Sequence, residues 1–534
     1  MSRLGQPGGV VGQTLERDAV VEADVCVIGS GAGGAVTAAR LARAGLRVVV
    51  LEEGGYFTSE RFTMSEEDCY PNLYQEAGTR TTKDLSVAIF QGRAVGGTTV
   101  VNWTTCFRTP ERTLARWRSH HGVDGLDLET LRPHYEAVEE RLSIARIPLD
   151  KVNRNNRLLY DGCRALGYEA ETLHRNVIGC SFTGYCGMGC PVDLKQSMLL
   201  TYLPDAMAAG ATVVSRCRVD RLVHAGGRVT ELRGRLLDAF GIAETGVSLT
   251  VRAKRFVASA GAIGTPALLL RSELPDPHQR VGKRTFLHPV VVSGAEYEEP
   301  VEGYYGAPQG VASHQFADRG DEVGYFLEAS PVYPMLLATG FPGFGVRHRA
   351  TMARLPFFAA HLAIAIDGHH DGEEGGTVRL LPSGRPQLDY TPSAKTYAAF
   401  RHAQKTLARI QLATGAKRIL SFHADPVEVR SEAELSRFDA APYAPTQVGV
   451  FSAHQMGGSG MSADPRQGVV RSRDLGHHHV ENLHVIDGSV FPTSTGVNPQ
   501  LSIYGLAHLV SGRLAETLGG ATDGAEATEA PVAG

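Results

Sequence analysis

The sequence predicts an α/β fold led by a Rossmann-like βαβ unit, and three observations between residues 25 and 53 predict it. An apolar run at 25–28 enters the turn Gly29-Ser30-Gly31-Ala32-Gly33-Gly34. An Ala-rich amphipathic segment follows and stops at Gly45. A second apolar run at 48–51 ends on Glu52. Strand, glycine turn, helix, strand and acid succeed one another at the spacing of a dinucleotide site. Gly29 permits the tight turn, Gly31 lets a pyrophosphate approach the backbone, and Gly34 lets the helix pack on the strand. The helix N-terminus offers unpaired N–H groups and its positive dipole end to phosphates. Glu52 stands where an acid accepts from a ribose 2′-hydroxyl, and it would repel the 2′-phosphate of NADP. The motif admits NAD and FAD alike.

Composition excludes several classes. A chain of 534 residues points to two domains or one large composite domain. Apolar content of 43% and charged content of 21% match a globular protein. The 53 basic and 57 acidic residues leave a net charge of −4, with no basic excess to suggest nucleic acid or an anionic membrane. The N-terminus lacks the apolar core of a secretory signal. No apolar run approaches the roughly 20 residues of a membrane span. The expectation is a cytoplasmic protein without a transmembrane segment, with peripheral membrane contact left open. Eight cysteines do not make a disulfide scaffold. Three of them, Cys180, Cys186 and Cys190, nevertheless crowd together.

Residues 1–20 read as an extended arm. Residues 55–85, polar and aromatic without a clear period, read as a long loop or lid. Helical spacing covers 111–121, 127–145, 203–209, 344–354, 394–412 and 503–518. A strand pair is expected at 211–224 and a hairpin-like alternation at 229–259. From 290 to 440, β-like runs such as 378–381 and 387–390 mix with helices, which suggests an antiparallel sheet carrying helices. The Ala/Gly/Glu-rich tail 519–534 reads as disordered.

Residues 91–102, QGRAVGGTTVVN, set a glycine pair before two hydroxyl residues. Such backbone suits wrapping against a flat ligand, or an Ω-loop with none. The stretch resembles the first signature of the glucose–methanol–choline (GMC) flavoprotein oxidoreductases, G-R-x-x-G-G-S/T-S/T-x-x-N. The match is complete through Asn102, while Cys106 stands where the family usually has an aromatic residue or Ala. Residues 261–272, GAIGTPALLLRS, resemble the helical half of the second signature; the continuation Glu273-Leu274-Pro275 departs from its G-I-G. Residues 452–460, SAHQMGGSG, resemble the family's H-x-x-G-G/T block, and 482–492 with 496–502 resemble its C-terminal flavin segment.

The resemblance implies a Rossmann-like FAD-binding domain built from the discontinuous segments 21–110, 175–290 and 445–518. It further implies an α+β substrate domain of 111–174 and 291–444 that contains the antiparallel sheet. FAD would lie on Gly29, Gly31, Gly34 and Glu52 at its ADP end, with backbone at Val219 holding the adenine. Gly92, Arg93, Gly96, Gly97, Thr98, Asn102, Asp487, Gly488, Asn498 and Pro499 complete the cofactor set. The implied reaction is oxidation of a primary or secondary alcohol by hydride transfer to the flavin, with His454 as base and Asn498 as its partner. Imidazole suits the proton because it titrates near working pH. His288 is either a supporting residue there or a satisfied structural histidine. The likeness extends to cholesterol-oxidase-like and long-chain-alcohol-oxidase members, which suggests a lipophilic, long-chain or steroid-like alcohol. O2 or an electron carrier would be the acceptor.

Cys180-x5-Cys186-x3-Cys190-Pro191 resembles the [3Fe–4S] ligands of flavin sugar dehydrogenases in this family and also the Cys-rich block of its fatty-alcohol oxidases. Three readings stand: an iron–sulfur cluster, structural or disulfide-prone thiols, or zinc. The first would make the protein a sugar or polyol dehydrogenase. A non-redox lyase that retains FAD and a light-driven flavoenzyme are further alternatives, although a base aimed at a hydroxyl argues against light-driven chemistry.

Overall fold

In a computed structural model, residues 9–12 and 15–520 are described. Residues 521–534 of the expected tail 519–534, with 1–8 and 13–14 of the expected arm, lie outside the described residues. Two large sheets organise the chain, as an α/β fold requires.

The first sheet has the order Gly9–Val11, Thr212–Val214, Val48–Leu51, Ala19–Ile28, Glu244–Ala258, Arg228–Leu237, Cys217–Ala225, and Leu483–Val485 joins it against Glu244–Ala258. Ala19–Ile28 is parallel to both Val48–Leu51 and Glu244–Ala258. The register sets Ile28 beside Leu51 and Ala258, and Ala258 beside Val485. Four strand ends therefore stop at one level. Part of the expected arm, Gly9–Val11, is an edge strand parallel to Thr212–Val214. The expected pair at 211–224 is no hairpin: Thr212–Val214 joins Val48–Leu51, while Cys217–Ala225 turns off at Arg216 (φ 56°) to pair with Arg228–Leu237.

Helix Ala32–Arg43 buries a face of small residues on this sheet, including Gly34, Ala35, Ala38, Ala39 and Ala42. Smallness is obligatory at two places. A Cβ on Gly34 would fall 2.0 Å from the Gly29 carbonyl oxygen, and one on Gly33 would fall 1.8 Å from the Ile486 carbonyl oxygen. Helix Gln500–Thr517 packs on the other side of Ala32–Arg43 and on Leu128–Arg141.

The second sheet is almost wholly antiparallel, in the order Glu428–Val429, Arg418–Ser421, Val290–Glu296, Phe358–Ala365, Tyr325–Ala329, Val311–Ser313, Glu171–Thr172. Its strands alternate as a two-faced sheet should. Val291, Leu327 and Ala363 pack under helices Ala394–Ala413 and Arg154–Ala165. Val290, Phe326, Leu362 and Ile364 face the opposite way, toward Trp103 and Phe451.

Among the helices that the sequence does not show are Glu66–Leu73 and Arg154–Ala165. Glu66–Leu73 falls in the expected lid and carries Pro71 inside it, which breaks the pattern a periodicity search relies on. Arg154–Ala165 is polar along most of its length and is started by Asn153, whose side chain accepts from Asn156 N–H.

Replacing Gly33 by Ala drives a methyl group into the backbone at Ile486. The expected cost is about 1–3 kcal/mol or more of folding stability, read from urea unfolding of the purified variant. Unfolding at the parental midpoint would show that the two segments can part without penalty.

Candidate active site

A cavity of about 1230 Å³ opens along the carboxyl edge of the first sheet and runs under the second. It exceeds the roughly 300–1,000 Å³ of an ordinary small-molecule site. Such volume suits a dinucleotide with a substrate beside it.

Gly29, Gly31, Glu52, Gly92, Arg93, Gly97, Thr98, Asn102, Val219, Asp487, Gly488, Asn498, Pro499 and His454 all border this cavity. Gly34 and Gly96 stand behind its wall. Gly34 seats the helix on Gly29, and Gly96 N–H donates to Ser30 Oγ at 3.0 Å. Ser30 Oγ in turn donates to Glu52 Oε2 at 2.7 Å, and Ser30 N–H donates to the same oxygen at 3.0 Å. Glu52 Oε1 accepts from Gly54 N–H at 2.7 Å. The acid thus braces both glycine loops as well as bordering the cavity, and burial raises its carboxyl pKa. Gly31 and Gly97 meet across the floor, where a Cβ on Gly97 would lie 2.7 Å from Gly31 Cα.

Asp487 ties the last quarter of the chain to this floor. Its Oδ2 accepts from Gly261 N–H at 2.9 Å and Thr265 Oγ1 at 2.6 Å, and Oδ1 accepts from Ser489 N–H at 2.8 Å. Arg93 is held by Glu53 Oε1 at 3.1 Å and the Gly241 carbonyl at 2.8 Å. The Val219 carbonyl accepts from Arg271 Nη2 at 3.3 Å. Asn102 Nδ2 donates to Gln500 Oε1 at 2.6 Å, at the start of helix Gln500–Thr517. Asn102 Oδ1 is buried and unpartnered.

At the inner end stand two histidines, an asparagine and an acid. His454 Nε2 lies 3.5 Å from Asn498 Nδ2, and His454 Nδ1 lies 3.3 Å from His288 Nδ1. Burial pushes His454 down to about 4 and His288 well below the usual imidazole value. His288 has left-handed backbone (φ 47°), which a non-glycine residue adopts only when held. Asp367 holds it, accepting from Leu287 N–H and His288 N–H at 3.0 Å each and from the Tyr390 hydroxyl at 2.9 Å. Ser452 Oγ donates to the Leu287 carbonyl and accepts from His454 N–H at 3.1 Å.

Glu328, absent from the sequence-derived set, completes this end. Its side chain is fully buried, and Asn498 Nδ2 donates to its Oε2 at 3.3 Å. One signal was available: an acid inside the otherwise apolar strand Tyr325–Ala329, since unpaired acids are seldom buried without a task.

Of the three readings open for the cysteine loop, its contacts fit structural thiols. Among the described residues no group of three or more His, Cys, Asp or Glu side chains converges on a metal site. The buried Arg175 guanidinium explains why: it reaches Cys180 Sγ and Cys186 Sγ at 3.8 Å each. Cys190 Sγ instead accepts from Leu194 N–H at 3.3 Å. All eight cysteines are free. The loop forms wall: the Tyr74 hydroxyl donates to the Gly187 carbonyl at 2.6 Å and the Tyr333 hydroxyl to the Gly184 carbonyl. Lys195, fully buried, joins it to the glycine–hydroxyl block by donating to the carbonyls of Val100 (2.5 Å), Asn102 (3.1 Å) and Cys186 (2.7 Å).

The residues fit FAD. The floor is bare backbone at Gly31 and Gly97, close enough for a pyrophosphate, and a helix N-terminus points at it. Orphaned polar atoms at Asn102 Oδ1 and Asn498 Oδ1 lie along the remaining wall.

Comparison with known proteins agrees with this geometry. Family models described as GMC oxidoreductase match residues 70–290 and 373–507, and one described as an NAD(P)-binding Rossmann-like domain matches 27–93. An uncharacterized GMC-type oxidoreductase of Mycobacterium tuberculosis (strain H37Rv) is 35% identical over 505 residues, covering 93% of this chain and 76% of the relative. The long-chain-alcohol oxidase FAO1 of Arabidopsis thaliana is 28% identical, covering 97% of this chain and 70% of its own. Among solved structures, a pyridoxine 4-oxidase from Mesorbium loti superposes with a TM-score of 0.70 at 18% identity, covering 91% of this chain and 98% of its own. With its fold, its cavity and two matched family models over most of its length, the chain belongs to the GMC oxidoreductase family and is an FAD-dependent oxidoreductase acting on CH–OH donors.

Proposed function

We propose that this enzyme oxidises a lipophilic primary or secondary alcohol, long-chain or steroid-like, to the aldehyde or ketone, with O2 or an electron carrier as final acceptor. The observation that carries the reading is the apolar chamber leading to His454 and Asn498. Val290, Val292, Leu362 and Ile364 from the second sheet, with Phe451 and Leu336, border it. Such walls desolvate a hydrocarbon and leave only the inner end able to hold a hydroxyl. Bound FAD would supply the hydride acceptor. Gly29, Gly31, Gly97, Thr98, Val219 and Asp487 would hold its ADP and phosphate portions, and Asn102, Asn498 and Pro499 its other end.

The surface beside the chamber supports the same substrate class. Helix Pro334–Gly340 borders the cavity with Leu336 and Leu337, and the chain after it presents Phe344 and Val346, which are 91% and 85% exposed. Between Glu328 and Asp367 the chain has no acidic residue, while Arg347 and Arg349 are exposed. An apolar, cationic lip of this kind suits delivery of a hydrophobic alcohol from a peripheral membrane contact. Among the described residues no helix is long and apolar enough to cross a membrane. The set of free thiols favours a reducing, cytoplasmic setting. A sugar dehydrogenase with an iron–sulfur cluster is disfavoured by Arg175 between two of the thiols.

Anaerobic mixing of the FAD-loaded enzyme with an alcohol panel tests the reading. Long-chain alcohols or sterols should bleach the flavin, and readmitted oxygen or an artificial carrier should restore it. Bleaching confined to sugars or choline rejects the substrate class, and turnover of a cyanohydrin without bleaching would favour a lyase. Replacing Phe451 by Ala removes about 1.5–3 kcal/mol of apolar contact. The variant should lose about 10- to 150-fold in kcat/KM for long-chain alcohols while keeping its FAD content. Undiminished kcat/KM would move the substrate out of this chamber.

A further inference from the structure

A smaller cleft, which shares no lining residue with the main cavity, gathers positive charge without a counter-ion. Arg280, Lys283 and Arg284 border it together with His121, Gly468 and Pro492. Strand Lys283–Phe286, the end of helix Glu111–His121, the loop 460–469 and the segment at Pro492 meet there. Arg280, Arg284 and His121 are half-buried, and Lys283 is exposed.

Among the described residues none of the three cations reaches a carboxylate. The neighbouring acids are committed elsewhere. Asp276 spends its two oxygens on the N–H groups of Arg280 and Val281, at 2.8 Å each. Asp464 holds the Arg466 guanidinium. Glu373 accepts from Gly368 N–H at 2.9 Å and His370 N–H at 3.2 Å, and Asp371 lies 3.8 Å from Arg116. Glu374 attracts Arg284 from beyond pairing distance.

Several donors in the cleft are left over. Arg280 Nε and His121 Nε2 are buried and unpartnered. Arg284 donates through Nε to the Pro492 carbonyl at 3.4 Å, and its two terminal nitrogens have no acceptor among the described residues. Burial, with Arg284 and Arg116 close by, pushes the His121 imidazole down to about 3. Burial and then Arg280 hold the Arg284 guanidinium below its usual value. The carbonyls that end helix Glu111–His121 are occupied: Trp117 O accepts from Gly122 and Val123 N–H, and Gly122 O from Ala463 N–H. Like charges in a half-dry cleft repel, and unmatched donors there cost free energy, unless an anion neutralises and hydrogen-bonds them. Guanidinium forks arriving from separate directions suit an oxyanion with several acceptor oxygens.

We propose that this cleft binds one phosphate group, as inorganic phosphate or as the phosphate of a small monoester, on Arg280, Lys283 and Arg284 with His121 Nε2 as a further donor. Occupancy has a short route to the active site. Arg284 holds Pro492, Trp117 Nε1 donates to Thr493 Oγ1 at 2.7 Å, and Thr113 Oγ1 donates to the Thr495 carbonyl at 3.0 Å. A phosphate shared by Arg284 and His121 ties strand to helix across the segment that leads to Asn498, and so braces it.

Calorimetric titration of the FAD-loaded enzyme tests the site, with inorganic phosphate and glycerol phosphate as ligands and chloride at matched ionic strength as the blank. Saturable binding of one phosphate per chain is expected. A ligand pair bound equally assigns the site to monoesters as well as the free ion; binding of inorganic phosphate alone assigns it to the ion. Replacing Arg280 and Lys283 together by Gln should weaken binding by about 10-fold or more, the loss of at least one charge-assisted hydrogen bond. Lys283→Gln alone, at an exposed position, should weaken it in the same direction. Saturation should move the His121 ring signals, located with His121→Gln, and should raise the melting temperature of the parent but not of the doubly substituted enzyme. Absence of saturable binding overturns the inference, as does binding that both Gln substitutions leave unchanged or that leaves the His121 signals in place. No alcohol enters the experiment, so its outcome is independent of the substrate.

Discussion

Backbone contact between Gly33 and Ile486 is the constraint on which the rest depends. It is possible only because Ile28, Leu51, Ala258 and Val485 end their strands at one level. Gly29, Glu52, Ser259 and Ile486 then leave the sheet along a common edge. Loops that are remote in sequence meet there without long connections, which is how open α/β sheets create a ligand crevice. The Gly96–Ser30–Glu52 hydrogen-bond chain fastens the second glycine loop to the first. A one-residue slip of Leu483–Val485 would carry Asp487 away from Gly261 and Thr265 and open the floor.

The chemical end answers to a different sheet. His288 stands two residues before strand Val290–Glu296 and Asp367 two residues after Phe358–Ala365, so the second sheet fixes the strained backbone that orients His454. The apolar surroundings that make this end selective also keep its histidines neutral. In so dry a setting each remaining polar group acts strongly, and its orientation matters more than its charge. Lys195 is the counterpart in the wall. Burial lowers it to about 8, yet it spends its donors on three carbonyls and serves as a bolt between two loops.

Much of this was legible in the sequence because it is local. A turn such as 29–34 has to carry its own glycines, and the helices at 111–121 and 394–412 have to carry their own spacing. His454 and Asn498 were legible through the blocks around them. Glu328, Asp367 and Lys195 were not, since each owes its significance to partners 79 to 170 residues away: Asn498 for Glu328, His288 for Asp367, Val100 for Lys195. The thiol triplet left several readings open in the sequence. Its spacing also suits a cluster, but the partner that two of the thiols share, Arg175, lies five and eleven residues before them and is not part of the Cys pattern.

The position of Leu483–Val485 in the sheet bears on how the protein is made. That strand pairs with Phe256, Val257 and Ala258, which are translated more than 200 residues earlier. Until it docks, Gly33 has nothing to press against, Asp487 cannot tie down Gly261, and helix Gln500–Thr517 cannot cover Ala32–Arg43. A nascent chain with its whole glycine-rich fingerprint already outside the ribosome still has no floor on which to keep a dinucleotide. Cofactor capture is therefore an event of the finished polypeptide. Until then the open edge at Phe256, Val257 and Ala258 is the surface a growing chain must keep from its neighbours.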